Sequence, residues 1–215
     1  MDLSSTEIRV LGCLLEKQRT TPEHYPLSLN SLRLACNQST NREPVVRYEE
    51  ATIRDALHRL ERRGFTRLAG AGRAAKHRHL LAEALPMSSA EQAVMCVLML
   101  RGPQTPGELK QRGERIHPLA DLAEVHATLS ALIERELVAR LERRPGQKEE
   151  RYAQQLGDRE NEVDEPVRFG AVRATAPTAA PYAPNGSTGA VDEDLRERVE
   201  RLEREVAELR EVIQS

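Results

Sequence analysis

Ser4-Ser5-Thr6-Glu7 recurs as Ser88-Ser89-Ala90-Glu91, and Thr21-Pro22 recurs as Thr105-Pro106, both at an offset of 84 residues. Two landmarks at one offset indicate one structural unit used twice, and such a repeat has to be recognised before any fold is assigned. Further on, Leu57, Leu60 and the Gly64-Phe65 break answer to Leu129, Leu132 and the Glu136-Leu137 break at an offset of 72. The second copy therefore reads as the same unit shortened in its middle. Two copies are too few for a solenoid, so the pattern predicts tandem small domains.

Within the first copy, Ser5 is placed to cap a helix through about Gln18, with Ile8, Leu11, Leu14 and Leu15 at helical spacing. Pro22 stops it. Ser28 opens a short helix carrying Leu29, Leu32, Ala35 and Cys36, and a polar loop follows from Asn37 to Arg47. A third helix is predicted from about Glu49 to Arg63 with Ile53, Leu57 and Leu60 inward, ended by Gly64 in the usual C-terminal position. Phe65–Leu68 and Lys76–Leu80 read as two strands around a glycine-rich turn. In the second copy the helices are predicted from Ser89 to Arg101, Pro106 to Gly113 and Leu119 to Arg135, with Val138–Leu141 pairing Arg151–Ala153. Three helices and a hairpin, in that order, describe a winged helix. The expected fold is mainly α with small β-hairpins (α+β): winged-helix domains over residues 1–83 and 87–157, a linker over 158–191 and a helical segment over 192–215.

The linker is rich in Pro, Ala, Gly and acid, with no apolar period to offset its ordering entropy. In the last segment Leu195, Val199, Leu202, Val206, Leu209 and Ile213 alternate four and three apart, a heptad with Val/Ile at a and Leu at d. In a parallel pair Arg198 would meet Glu203 and Glu205 would meet Arg210. This predicts a homodimeric coiled coil, with a single amphipathic helix docked on the body as the alternative, since three heptads are marginal for autonomous pairing.

The chain of 215 residues carries no apolar run approaching the ~18 residues of a membrane span, and its N-terminus does not read as a signal peptide, so a cytoplasmic location without membrane contact is expected. Cys13, Cys36 and Cys96 lack metal spacing, and Cys13 and Cys96 sit in apolar helical runs as small hydrophobes. There is no GxxxxGK[ST], GxSxG or HExxH motif. His77 and His79 alternate on a predicted strand without a further ligand at suitable spacing and read as part of a solvated cationic wing. No enzyme activity, cofactor or metal is expected.

Charge separates the copies. Arg54 to His79 holds eight Lys/Arg against two acids, whereas Glu124 to Arg151 holds six of each. In helix-turn-helix domains the last helix enters the major groove while neighbouring elements hold phosphates. The residues expected to contact double-stranded DNA are Thr52, Arg54, His58, Arg59, Arg62 and Arg63 on the third helix, with Arg73, Lys76 and Arg78 on the hairpin. The competing reading is a solvated arginine-rich face, with Asp55 and Glu61 pairing the arginines. The loop Asn37–Val45, dense in amides and hydroxyls, reads as side chains bonding their own turns, with a nucleic-acid edge or a partner as alternatives.

Leu14-Leu15-Glu16-Lys17-Gln18, Thr20-Thr21-Pro22, Tyr25-Pro26-Leu27-Ser28, Ala35-Cys36-Asn37-Gln38 and Thr40-Asn41-Arg42-Glu43-Pro44-Val45 resemble the YceH-like proteins of bacteria, an uncharacterised group. Arg101-Gly102, Gln104-Thr105-Pro106-Gly107-Glu108-Leu109 and Arg144-Pro145-Gly146-Gln147-Lys148-Glu149 extend the resemblance over nearly the whole chain. It implies the double winged-helix fold and supplies no catalytic residue or cofactor. Two functions stay open: a DNA-binding protein of regulatory type, and a protein-interaction scaffold similar to the tandem winged-helix subunits of chromosome-organising complexes.

Overall fold

The computed structural model describes residues 2–69, 75–143 and 149–157. Arg73, the linker 158–191 and the heptad residues Leu195, Val199, Leu202, Val206, Leu209 and Ile213 lie outside them. Among the described residues the chain is a mixed α+β structure of seven α-helices and five short strands. The first repeat runs α1 (Ser5–Thr20), a single 3₁₀ turn (Pro22–His24), β1 (Leu27–Ser28), α2 (Leu29–Cys36), α3 (Glu50–Arg62), β2 (Thr66–Ala69) and β3 (Lys76–His79). A short α4 (Leu81–Ala84) leads to the second: α5 (Ser89–Arg101), α6 (Pro106–Gly113), α7 (Leu122–Glu134), β4 (Val138–Leu141) and β5 (Arg151–Gln154).

Local chemistry starts these helices. Ser4 and Glu7 form a reciprocal capping box on α1, as do Ser88 and Glu91 on α5 and Thr105 and Glu108 on α6. Ser28 caps α2 and Asp121 caps α7. The first cap is thus Ser4 rather than Ser5. The last helix begins three residues later than its pattern predicts, because Leu119 is buried in the loop before it and Asp121 provides the cap. Gly64 (φ 75°) ends the first repeat's third helix in the left-handed region, as expected.

The Thr21-Pro22 and Thr105-Pro106 match does not survive. Thr105 caps α6, whose counterpart α2 is capped by Ser28, while Pro22 opens the 3₁₀ turn. The two dipeptides look alike and occupy different places in the repeat.

Antiparallel strands in the order β1-β3-β2 form the first sheet, pairing Leu27 with His77 and Thr66 with His79. The second is the hairpin β4-β5, with Gln104 bridged to Tyr152 where β1 would lie. Gln104 is buried because its main chain completes this sheet, exchanging bonds of 3.0 and 2.8 Å with Tyr152.

One apolar core spans both repeats. Its seam is α1 against α5, which run antiparallel: Arg19 donates to Gln92 at 2.8 Å, and Gly12 lies against Met99 and Leu100. A Cβ on Gly12 would stand 2.8 Å from Leu100 Cδ2, so glycine sets the separation of the two helices. Cys96 Sγ donates to the Gly12 carbonyl at 3.5 Å, and these residues hold equivalent places at the offset of 84. Contact between equivalent positions on antiparallel helices is what an approximate twofold relation between the repeats produces.

The polar loop after α2 is a structural clasp across this seam. Arg42, fully buried, forks onto the buried Glu16 carboxylate with bonds of 2.5 and 3.2 Å, and also donates to the carbonyls of Ala35 (3.0 Å) and Asn41 (2.8 Å). Arg115 of the second repeat reaches the same carboxylate. Glu43 N–H donates to the Leu100 carbonyl at 2.8 Å, and Arg101 donates to the Asn41 side chain. Asn37 exchanges two bonds with the Tyr48 main chain, and Arg9 donates to the Pro44 carbonyl at 2.7 Å. The loop's polar side chains thus bond main chain and hold the two repeats together.

Candidate nucleic-acid interface

Helix α3 buries Ile53, Ala56, Leu57 and Leu60, an i, i+3, i+4, i+7 stripe, and presents the rest outward. Thr52, Arg54, His58, Arg59, Arg62 and Arg63 are all exposed. Their electrostatic settings differ. Arg54 pairs with Glu50 one turn back at 2.5 Å, both half exposed. Arg59 Nε donates at 3.1 Å to Glu7, whose carboxylate is almost fully buried by the α1 capping box. Arg63 Nη1 donates to the Asp2 carbonyl at 2.7 Å. Arg62 has no ion-pair or hydrogen-bond partner among the described residues. Four charges that look equivalent in sequence thus resolve into one paired locally, two turned toward the start of α1, and one open.

The hairpin sorts its residues by face. Thr66 and His79 stand opposite each other and are buried, with Thr66 Oγ1 donating to the Leu57 carbonyl of α3 at 3.4 Å. The alternate positions put Arg67 directly across from Arg78, with Lys76 two residues along on the same face. Directly opposed like charges are destabilising. Glu83 relieves one by accepting from Arg78 at 2.7 Å, while Lys76 and Arg67 have no such partner among the described residues. Arg67 is a cation that the sequence reading passed over. The signal that reveals it is the strand register, which sets it beside two residues already singled out.

His79 corrects the expectation of a solvated pair of wing histidines. Its ring is buried: Nδ1 accepts from Leu81 N–H at 3.2 Å, so Nε2 carries the hydrogen and donates to Gln18 Oε1 at 2.7 Å. Burial pushes its pKa down to about 4, with Glu83 opposing and Arg78 and Arg19 reinforcing the shift. Its main-chain N–H donates to the Tyr25 hydroxyl at 2.8 Å, and burial lifts that phenol to about 12. The residue therefore ties the hairpin to α1 and to the loop before β1 as a neutral hub. His77 is half buried beside Glu61 and His58, and burial lowers its pKa as well.

In the second repeat the corresponding helix presents a different chemistry. Exposed on α7 are Leu122, Ala123, His126, Ala127, Ser130, Ile133 and Glu134, with no Lys or Arg within the helix. Arg135 just beyond it pairs with Glu91 at 3.2 Å and Arg140 with Glu150 at 2.6 Å. The charge asymmetry in the sequence is thus carried to the surface.

Cys13, Cys36 and Cys96 are free and buried. Cys36 is held well up by its hydrogen bond with Cys13 and by burial, and burial does the same to Cys96. No group of three or more His, Cys, Asp or Glu that could hold a metal occurs among the described residues. None of the described helices is long and apolar enough to cross a membrane.

The family model described as "Protein of unknown function, DUF480" matches residues 3–147. A UPF0502 protein of Pelobacter propionicus is 49% identical over 219 residues, covering 99% of this chain and 95% of that protein. One from Shewanella sp. (strain MR-4) is 42% identical over 224 residues, covering all of this chain and 97% of the relative. Another, from Geotalea uraniireducens, is 54% identical over 157 residues, or 72% of each chain.

Proposed function

The chain belongs to the DUF480 family, and we propose that it binds duplex DNA through α3 and the β2–β3 hairpin of its first repeat. On this reading each repeat is a winged helix, and the chain is a cytoplasmic binding protein of regulatory type rather than an enzyme. The observation that carries it is the exposed cationic surface of the first repeat. Thr52, His58 and Arg62 project from α3, while Arg67, Lys76 and Arg78 line one face of the hairpin. Side chains from the N-terminal part of such a helix, here Thr52 and His58, contact base edges in the major groove, while Arg62 at its end and the hairpin cations hold phosphate. Association through the heptad residues 195–213 would give the protein two such surfaces.

The second repeat suits a protein contact better. Leu122 and Ile133 are exposed on α7, eleven residues apart and so nearly on one line along the helix. A scaffold that binds protein alone is the rival reading.

Charge reversal decides between them. Arg62→Glu with Lys76→Glu changes two exposed side chains that have no described partner, so the fold should be retained. Random-sequence duplex affinity at 50 mM salt should fall by more than tenfold, on the order of 1.4 kcal/mol or more. Absence of duplex binding by the unmodified protein favours the scaffold, and unchanged affinity in the variant removes this surface from the DNA contact.

A further inference from the structure

An open cleft of about 420 Å3 lies where the end of α3 meets the start of α1, lined by Asp2, Glu7, Arg59, Arg62 and Arg63. Arg59, Arg62 and Arg63 share it with two acidic residues. One of these is already engaged: Glu7 Oε2 accepts from Ser4 N–H at 2.7 Å and Oε1 accepts from Arg59 Nε at 3.1 Å. Asp2 contributes its main-chain carbonyl to Arg63. Among the described residues no arginine of the cleft is capped by a carboxylate in the two-pronged geometry that saturates a guanidinium fork, and most of their N–H donors have no partner.

Convergent like charges are costly unless an anion joins them. Arg59 is nevertheless held in place, since its Nε is fixed by a carboxylate that is itself buried and locked in the capping box. Such anchoring uses only Nε and leaves the Nη donors of Arg59 without a hydrogen-bond partner among the described residues. A tetrahedral phosphate oxygen set is the partner for which planar guanidinium groups are best matched.

Position along the helix indicates which phosphate. In helix-turn-helix domains the recognition helix lies in the major groove with its N-terminal residues on base edges. Helix α3 has 13 residues and is about 20 Å long, so with Thr52–His58 over base edges its last turn, carrying Arg59 and Arg62, stands clear of them and close to the backbone that borders the groove. Resting on the DNA-binding reading above, we infer that the Arg59–Arg62–Arg63 cleft is a seat for a backbone phosphodiester, gripping DNA without regard to sequence. The arginines at the end of α3 then hold position, and its first two turns discriminate.

The test is the salt dependence of duplex binding by the full chain, for Arg62→Gln, Arg63→Gln and the double variant, on two unrelated duplexes. Arg62→Gln disturbs no described contact, and thermal melting checks the other two. Each substitution should make the log–log salt slope shallower by about one and weaken both duplexes by the same factor. Unchanged slopes with intact duplex binding would overturn the phosphate seat and leave the DNA-binding reading standing. Absence of duplex binding by the unmodified chain would remove both. Pyrophosphate is titrated in parallel: saturable binding lost in the Arg63 variant, with duplex slopes unchanged, would assign the cleft to a free phosphate compound and overturn the backbone inference.

Discussion

Replacing Arg42 by Met should be among the most damaging single substitutions in the chain. The side chain is fully buried against a Glu16 carboxylate that is 1% exposed, and it makes four hydrogen bonds, two to Glu16 and two to main-chain carbonyls. Methionine keeps the volume and removes the charge. Glu16 is then left with Arg115, itself 46% exposed, and with Lys17 at 4.0 Å. Breaking one side of a buried ion pair costs about 3–5 kcal/mol, a large share of the 5–15 kcal/mol typical of a folded domain. With a urea slope of about 2 kcal/mol/M, the unfolding midpoint should fall by about 2 M, read by circular dichroism. The companion variant sharpens the test. The position equivalent to Glu16 in the second repeat is Leu100, an apolar residue in the same seam. Glu16→Leu combined with Arg42→Met should therefore recover most of the loss, because no buried charge remains unpaired. A midpoint shift below about 0.5 M for the single variant, or a double variant no better than it, would refute the reasoning.

Three further outcomes are expected. His79 has a folded pKa of about 4 against about 6.5 unfolded, so its neutral burial stabilises above pH 6.5 and that contribution is lost as pH falls toward 4. Stability should decline by about 1.4 kcal/mol per pH unit in that window, about 3 kcal/mol in all, and the decline should be largely absent in His79→Gln; parallel pH profiles for the two proteins would count against the buried hub. Gly12→Val should lower the melting temperature by roughly 4–8 °C, corresponding to about 2 kcal/mol of overpacking at the α1–α5 seam, despite valine's better helix propensity; an unchanged or higher melting temperature would mean the helices are not in contact there. Cys13, Cys36 and Cys96 should resist a thiol reagent in the folded protein and react fully in denaturant, and rapid labelling of the folded chain would contradict their burial.

What the sequence made legible was local. The capping serines, the proline opening α6 and the glycine after α3 act within one turn of themselves, and each lies at or within a residue of its predicted place. Alternation on the hairpin strands likewise needed only neighbouring residues. The misses are long-range. Arg42 meets Glu16 across 26 positions and Arg59 meets Glu7 across 52, and no spacing rule reports such pairs. Strand β1 has two residues and Gln104 contributes one bridge, too short for any period to register. His79 was misread because alternation identifies which residues share a face, not which face is covered by α1. Thr21-Pro22 misled for the opposite reason: a dipeptide common to helix starts occurred at the right offset by coincidence.

Contact between the first repeat's cations and duplex DNA is tested most directly by fluorescence anisotropy of random-sequence duplex with the unmodified full chain at 50 and 200 mM salt. Engagement of about 4–6 phosphates predicts a log–log slope of roughly −4 to −5. Flat anisotropy even at the lower salt would contradict it and return the first repeat's cationic surface to simple solvation.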